Sequence, residues 1–208
     1  MKNTTATPAM LPRDLHSLKV AVVHPHDQDG EALLAQLQRI GCEVEVFWPR
    51  LERLPPGTGL VLMAVRPETL AISFPWLGAD AAPPVIPVLT DENPITIEAV
   101  LRLNAFSTIA SPVRSTGVLT AITVVLAQHK ASRMRERYIE RLEQKQANLR
   151  TIQHAKRIVM DARKVSEDEA YQLLRSQAMV KREQIETVAS AIVKAHETLS
   201  FEPQCRAL

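Results

Sequence analysis

The chain has 208 residues, of which 46% are hydrophobic and 23% are charged, and its formal net charge at pH 7 is +2. This length suffices for one ordinary core and an appended helical part, so we expect two structural units. The near-neutral charge excludes a general attraction to nucleic acid. Any binding of that kind must come from local clusters of cations.

Targeting signals and cysteines add two expectations. No apolar run reaches the length of a transmembrane helix, and residues 1–12 lack the charged start and continuous apolar stretch of a signal peptide. These features predict a cytoplasmic protein. Cys42 and Cys205 lie far apart and show no metal-ligand spacing, so we expect buried or free thiols and neither a disulfide nor a zinc site.

A first domain is predicted over residues 13–115, where short apolar runs alternate with helical patterns. A helix is expected over residues 30–40, ended by Gly41, and further helical segments are expected between the strands. Strands that alternate with helices pair in parallel through right-handed crossovers. The pattern predicts an α/β flavodoxin-like fold, with five strands at residues 18–23, 44–48, 60–65, 85–89 and 107–110.

This order of elements resembles the receiver domain of two-component response regulators. Thr90 and Pro112 follow the fourth and fifth strands, where receivers carry their own Thr and Pro. In receivers an acidic pair holds Mg²⁺, an Asp accepts the phosphoryl group and a Lys steadies it. This chain instead has His24, Pro25 and His26 for the acidic pair, Met63 for the acceptor and Ser111 for the lysine. Without these groups the phosphoryl transition state is not stabilised, so we expect a pseudo-receiver with no phosphorylation site.

Two interpretations are open for His24, His26 and Asp27. Two imidazoles beside a carboxylate could bind a transition metal or respond to pH. Alternatively, Asp27 caps the helix that follows, and no third His or Cys lies nearby in sequence. The capping interpretation is favoured, and no metal site is predicted.

Residues 116–150 contain no proline and predict one long linker helix. Its opening carries enough apolar residues to cover a face of the sheet, and its continuation is heavily charged. Four residues step by three and four, as in a heptad seam: Ile139, Leu142, Gln146 and Leu149. A coiled coil that pairs two chains into a homodimer is predicted, and a solvated single helix is the alternative.

Residues 151–200 show the pattern of three short amphipathic helices joined by turns. Ser166 and Glu169 form a capping box that starts the second helix. Tyr171 is expected in the core, because it lies beside Ala170 on that helix. Helices this short must pack on one another through their apolar positions, which include Ile152, Ala155, Val159, Leu174, Ile185, Val188, Ala189, Ile192 and Val193.

The same segment resembles the ANTAR domain, the RNA-binding module of transcription antiterminators. Arg157 and Ala178 depart from the family pattern, which often has Gly and Ser there, but both are good helix formers. The resemblance covers the whole segment and lies in Ala155-Lys156, Val159-Met160, Ser166, Glu169-Ala170-Tyr171, Leu174-Arg175 and Lys181-Arg182.

The order of pseudo-receiver, long helix and ANTAR domain resembles that of the antitermination regulators of aliphatic amidase operons. In that family a sensor of periplasmic-binding-protein fold holds the regulator silent, and inducer binding to the sensor frees it to bind leader RNA. The resemblance implies an antiterminator that binds hairpins in leader mRNA and so prevents a terminator from forming. Its input would be a ligand-sensing protein of that fold and not phosphorylation.

The resemblance also implies an RNA-contacting set of residues. Cations track phosphates, and planar groups stack on bases that are splayed out of RNA loops. For each single cation, a solvated helix face is the alternative. The candidates are Lys156, Arg157, Arg163, Arg175, Lys181 and Arg182, with Ala155 and Met160 allowing close approach.

Two rival functions belong to other classes. A phosphorelay-type response regulator that binds DNA would need an acceptor Asp and a recognition helix, and the first is missing. A protein-binding adaptor would use the three-helix unit to dock another protein. Salt-dependent binding to a hairpin RNA separates these alternatives. No catalytic residue, cofactor or enzymatic activity is predicted.

Overall fold

A computed structural model describes residues 15–79 and 81–199. The predictions for residues 1–12 and for Cys205 therefore lie outside the described residues. The chain divides into two compact units, one before and one after the Met134–Arg135 boundary.

The first unit is built on one parallel sheet. Its strands are Lys19–Val23 (β1), Glu43–Phe47 (β2), Thr58–Val65 (β3), Val85–Leu89 (β4) and Ile109–Ala110 (β5). They lie in the order β2-β1-β3-β4-β5, and every neighbouring pair is parallel. This is the strand order of a flavodoxin-like sheet, as predicted.

The helix after β1 spans Gln28–Ile40 (α1) and begins two residues earlier than expected. Asp27 caps it as predicted, because its Oδ1 accepts a hydrogen bond of 2.9 Å from the amide of Gly30. Gly41 ends the helix at φ 92°, where a Cβ atom would lie 2.2 Å from Nδ1 of His16. Both the left-handed backbone and the lack of space require glycine there.

The expectation of helices between all the strands is wrong. Residues 48–57, between β2 and β3, contain no helix. Of the described residues between β3 and β4, which are 66–79 and 81–84, only Pro67–Leu70 form a helix (α2). Prolines, which lack an amide donor, interrupt both connections. The two connections also contact each other, because the indole Nε1 of Trp76 in the second donates to the carbonyl of Leu51 in the first at 2.8 Å. A regular helix between strands returns at Pro94–Arg102 (α3).

Successive strand residues supply two cores on opposite faces of the sheet. Val20 and Val22 pack in one cluster with α1 and with the opening of the long helix that begins at Val118. Ala21 and Val23 belong to the other cluster, together with Trp76. The inner strands β1, β3 and β4 are therefore buried on both sides, whereas the edge strand β2 is largely exposed.

The long helix spans Val118–Arg163 (α4). Val118, Ile122 and Val125 are buried, which confirms that its opening covers the sheet. The helix predicted over residues 116–150 and the first helix of the C-terminal segment are one continuous helix, because no proline or glycine interrupts the sequence between them.

The second unit packs the end of α4 with Glu167–Lys181 (α5) and Ile185–Leu199 (α6). The predicted capping box is present, because the side chain of Ser166 and that of Glu169 each bond to the other residue's amide. The predicted apolar positions form one cluster together with Ala178, which was not among them. The cluster is made of Ala155, Leu174, Ala178, Val188 and Ala189, with Ile152, Val159, Ile185, Ile192 and Val193 partly buried around them.

Candidate functional site

The carboxyl ends of the parallel strands meet at one edge of the sheet, which is where open α/β sheets bind ligands. His24 directly follows β1, Arg66 follows β3, and Ser111 follows β5. In a receiver this edge would hold the metal and the phosphoryl group. The partners of these three residues therefore decide what the edge can bind.

The side chain of Arg66 forms an ion pair with one of the carboxylates at this edge. Its Nη2 lies 2.5 Å from Oδ2 of Asp27, and Nδ1 of His24 lies 3.5 Å from Oδ1 of the same carboxylate. Burial raises the pKa of Asp27, but the hydrogen bonds from Gly30 and Arg66 and the charges of His24 and Arg66 outweigh burial and hold that pKa below its ordinary value. A cationic side chain of the protein itself thus neutralises Asp27. The sequence alone gave no sign of this pair.

Asp29 is the second carboxylate at the edge, and it is also engaged. It accepts a hydrogen bond from the hydroxyl of Ser111 and a second, of 2.7 Å, from the amide of Val113. The residue that replaces the receiver lysine therefore ties the segment after β5 to α1. Neither carboxylate is left open to hold a metal ion.

Met63, the residue predicted at the acceptor position, is 3% exposed and packs in the core cluster that contains Trp76. A buried thioether offers no oxygen to a phosphoryl donor. His24 is 2% exposed whereas His26 is exposed, and among the described residues no group of three or more His, Cys, Asp or Glu side chains could hold a metal ion. Cys42 is buried and unpaired, and burial raises the pKa of its thiol.

The second unit presents a different surface. Five of the predicted RNA-contacting cations are exposed: Arg157, Arg163, Arg175, Lys181 and Arg182. Within the part of the chain that the structure describes, the last four of these form no ion pair. Met160 is half-buried, and Ala155 is fully buried in the helical core, where it presents no surface to a ligand.

Lys156 differs from the other cations, because it is only 8% exposed. Its ammonium group forms an ion pair and hydrogen bond with the carboxylate of Glu167, and it lies 6.0 Å from the ring centroid of Tyr171. The hydrogen bond and the charge of Lys156 lower the pKa of Glu167. Lys156 therefore joins α4 to the first turn of α5.

The expectation that Tyr171 lies in the core is wrong, since it is 39% exposed. Arg175 and Arg182 follow it at intervals of four and seven residues. At about 100° per residue, the side chains of Tyr171 and Arg175 fall within about 40° around the axis of α5. These two lie beside its buried face, which Ala170, Leu174 and Ala178 form, and Arg182 is the left-handed residue at which the helix ends. We call Tyr171, Arg175 and the terminal Arg182 the α5 stripe.

Both turns of the second unit carry a cation in the left-handed backbone region. Lys164 has φ 54° between α4 and α5, and Arg182 has φ 55° where α5 ends. Glycine is the usual residue at such a helix end, because other residues pay roughly 1–2 kcal/mol there. The sequence motif identified Arg182 as a candidate RNA contact. Lys164 was not among the predicted candidates, although its neighbour Arg163 was.

The predicted seam is exposed on α4. Ile139, Leu142 and Leu149 are each about half exposed, and Gln146 is exposed between them. A helix pair requires large apolar side chains at heptad spacing that no other part of the same chain buries. The dimer itself stays a prediction.

A receiver-like domain followed by a three-helix unit with exposed cations is the layout of a two-domain regulator. Its N-terminal part, residues 18–128, matches the family described as AmiR, N-terminal, and residues 140–193 match the ANTAR domain. The chain therefore belongs to the AmiR N-terminal family and carries an ANTAR domain.

The chain is also similar to individual proteins. The chain is 25% identical over 181 residues to the aliphatic amidase regulator of Pseudomonas aeruginosa strain PAO1, covering 86% of this chain and 92% of that protein. Among solved structures, the response regulator StyR aligns with a TM-score of 0.51 at 18% identity, over 86% of this chain and 99% of StyR. A CheY-like response regulator from Mesorhizobium loti aligns with a TM-score of 0.42 at 19% identity, over 51% of this chain and 97% of its own. The StyR alignment shows the fold alone.

By its domain content the chain is a transcription regulator of the RNA-binding antiterminator class, and both of its families are regulatory. None of the helices within residues 15–79 and 81–199 has the length and apolar character needed to cross a membrane.

Proposed function

We propose that this protein binds paired hairpins in a leader mRNA as a homodimer and so prevents a terminator from forming, under the control of a sensor protein. The observation that carries the proposal is the α5 stripe, which exposes one aromatic ring and two guanidinium groups on the segment that matches the ANTAR domain.

The chemistry of the α5 stripe suits RNA. Tyr171 and the planar guanidinium groups of Arg175 and Arg182 can stack on bases splayed out of a hairpin loop, and the guanidinium charges can also pair with phosphates. Arg157, Arg163 and Lys181 add exposed charge for the RNA backbone. Backbone contacts of this kind position the protein, while contacts to loop bases select the sequence.

Pairing of two chains through Ile139, Leu142, Gln146 and Leu149 would bring two ANTAR domains to one RNA. Two linked modules bind two linked hairpins more tightly than either binds alone, because the second binding event is intramolecular. The exposure of the three apolar seam residues supports this assembly.

The input we propose is a protein. Phosphorylation is disfavoured because Met63 is buried, Arg66 neutralises Asp27, and Ser111 and Val113 engage Asp29. In this proposal a ligand-sensing partner of periplasmic-binding-protein fold holds the regulator silent, as the resemblance to amidase-operon regulators implies. Release from such a partner shifts a binding equilibrium and needs no covalent mark.

The decisive experiment is selection of RNA from a library of paired stem-loops with fixed stems and randomised loops, using the full chain. We expect enriched loop sequences whose affinity falls steeply with salt, by about 0.7 to 0.9 in log–log slope per phosphate contact. Equal binding to duplex DNA of the same length would favour the DNA-binding alternative. Failure to enrich any salt-dependent RNA ligand would overturn the proposal and leave the adaptor function.

A further inference from the structure

Glu167 is an unexpected residue beside an RNA-binding surface. It precedes Tyr171 by one helical turn, so its carboxylate lies at the N-terminal end of the α5 stripe. Its side chain is 61% exposed. A carboxylate in this position repels the phosphates that the stripe would attract. A specific contact must account for its orientation, and that contact is Lys156.

Lys156 needs a counter-charge, because its side chain is nearly buried between α4 and α5. A buried ammonium group without a partner would be strongly destabilising. The ring of Tyr171, with its centroid 6.0 Å from Nζ, supplies a weak attraction, and Glu167 supplies the full negative charge. The partner of this cation is therefore a carboxylate on the solvent side, where a competing anion could replace it.

An RNA phosphate has the properties to compete. It carries the same negative charge as the carboxylate, and its oxygens accept charge-assisted hydrogen bonds from an ammonium group. The ammonium of Lys156 lies against Tyr171, the first residue of the α5 stripe, so a strand that follows the stripe would bring a phosphate to it. The exposed side chain of Glu167 can rotate into solvent without disturbing the helical core.

We propose that Glu167 takes the place of an RNA phosphate in the free protein, which we call its stand-in role. Its carboxylate pairs with the ammonium group of Lys156, must be displaced when RNA binds, and so weakens RNA binding. This inference deepens the proposed function and depends on it. It explains why a cation at a position of the ANTAR motif is paired in the free chain, while Arg175 and Arg182 are exposed. The pair acts as an autoinhibitory contact that raises the RNA concentration needed for binding.

The test compares two variants that remove the same charge from the same helical turn, Glu167→Gln and Asp168→Asn. Asp168 is exposed and forms no ion pair in the described part of the chain, so it controls for the general loss of negative charge. The ligand is a stem-loop RNA enriched from the randomised library by the parent chain. We expect Glu167→Gln to bind it roughly three- to tenfold more tightly and Asp168→Asn to change affinity by less than about twofold. Glutamine can still accept a hydrogen bond from Lys156 but supplies no counter-charge, so the helical unit should lose some stability while remaining folded.

A Lys156→Met background makes the test specific to this pair. There Glu167→Gln should lose its advantage over Asp168→Asn, because no cation is left to release. If Glu167→Gln matches Asp168→Asn in the parent background, the stand-in role is overturned although RNA binding stands. If the parent chain enriches no salt-dependent RNA at all, the proposed function falls, and this inference falls with it.

A measurement on the unaltered protein gives the same answer without any substitution. Carboxyl ¹³C NMR can follow the titration of Glu167 in the free chain and in the RNA complex. In the free chain Lys156 holds the pKa of Glu167 below its ordinary value. Displacement by RNA should raise that pKa, because the carboxylate loses its ammonium partner and gains phosphate neighbours. An unchanged or lowered pKa in the complex would mean that Glu167 stays on Lys156 and would overturn the proposal.

Discussion

The charged groups of the two units are used in opposite ways. At the carboxyl edge of the sheet, Asp27 is paired with Arg66, and Asp29 holds Ser111 and the amide of Val113. On the helical unit, Arg163, Arg175, Lys181 and Arg182 are exposed and form no ion pair with any described residue. Charges satisfied inside the chain stabilise a fold, whereas exposed charges are available to a partner. The difference supports the proposal that the helical unit, and not the receiver-like edge, provides the recognition surface.

The largest expected effect concerns assembly through the helical unit. Replacing Leu142 and Leu149 together by Glu places two charges in the proposed seam, so we expect only monomers at low micromolar concentration by sedimentation. The control is Gln144→Glu with Asn148→Glu, which adds the same charge on another side of α4 and should leave dimers intact. Dimers that survive the Leu142 and Leu149 changes would move the interface elsewhere.

The core of the helical unit should respond strongly to truncation. Leu174 is fully buried between the helices, so Leu174→Ala should lower the free energy of opening of this unit by about 2–5 kcal/mol. Amide hydrogen exchange of α5 and α6 in the full chain measures it. Met179→Ala, at an exposed position on the same helix, should change opening by less than about 0.5 kcal/mol. Similar effects for both variants would contradict the described core.

The exposed cations test the recognition side of the comparison. We expect Lys181→Ala with Arg182→Ala to weaken binding to the selected stem-loop RNA roughly tenfold or more, with thermal stability nearly unchanged. The dependence of log affinity on log salt should flatten by about 0.7 to 0.9 for each lost phosphate contact. Lys194→Ala, which removes one exposed cation from α6, is the control for a lost charge away from this turn. An unchanged salt slope in the double variant would show that this turn is only a solvated surface.

A smaller effect is expected at the sheet edge, where Asp27 contributes through its ionised form. Its pKa in the folded chain lies below the ordinary value of 3.8, so its contribution is fully present above about pH 4 and is lost as pH falls through the folded pKa. Asp27→Asn keeps a capping residue but loses the charge. The stability difference between parent and variant, measured by denaturant unfolding, should be under about 1 kcal/mol at pH 6 and shrink toward pH 3. A difference that grows in acid would contradict the ion pair with Arg66.

The smallest expected effect is none at all. Incubation with acetyl phosphate and Mg²⁺ should leave the intact mass, oligomeric state and RNA affinity unchanged, because Met63 offers no acceptor oxygen and both edge carboxylates are engaged. A conventional receiver treated in parallel serves as the positive control. A stoichiometric phosphoryl adduct on residues 18–128 would contradict the assignment as a pseudo-receiver.

Patterns that depend on neighbours along the chain could be read from the sequence. The β-branched runs predicted the strands, Asp27 and the Ser166–Glu169 box predicted two helix starts, and the period of the C-terminal apolar residues predicted its core. Each of these follows from local backbone chemistry or from one face of one helix. RNA chemistry was likewise indicated by the residue types at the motif positions, since these depend on sequence alone.

Only the tertiary structure decided which charges are free. Lys156 and Arg175 are both cations at positions of the sequence motif. Packing of α5 nevertheless buries Lys156, whereas Arg175 stays exposed. Tyr171 lies outside the core because a shift of one residue from Ala170 rotates a side chain by about 100° around the helix. The Asp27–Arg66 pair spans thirty-nine residues and forms only because β1 and β3 are neighbours in the sheet. Burial and long-range pairing depend on how elements pack together, and periodicity within one element does not determine that.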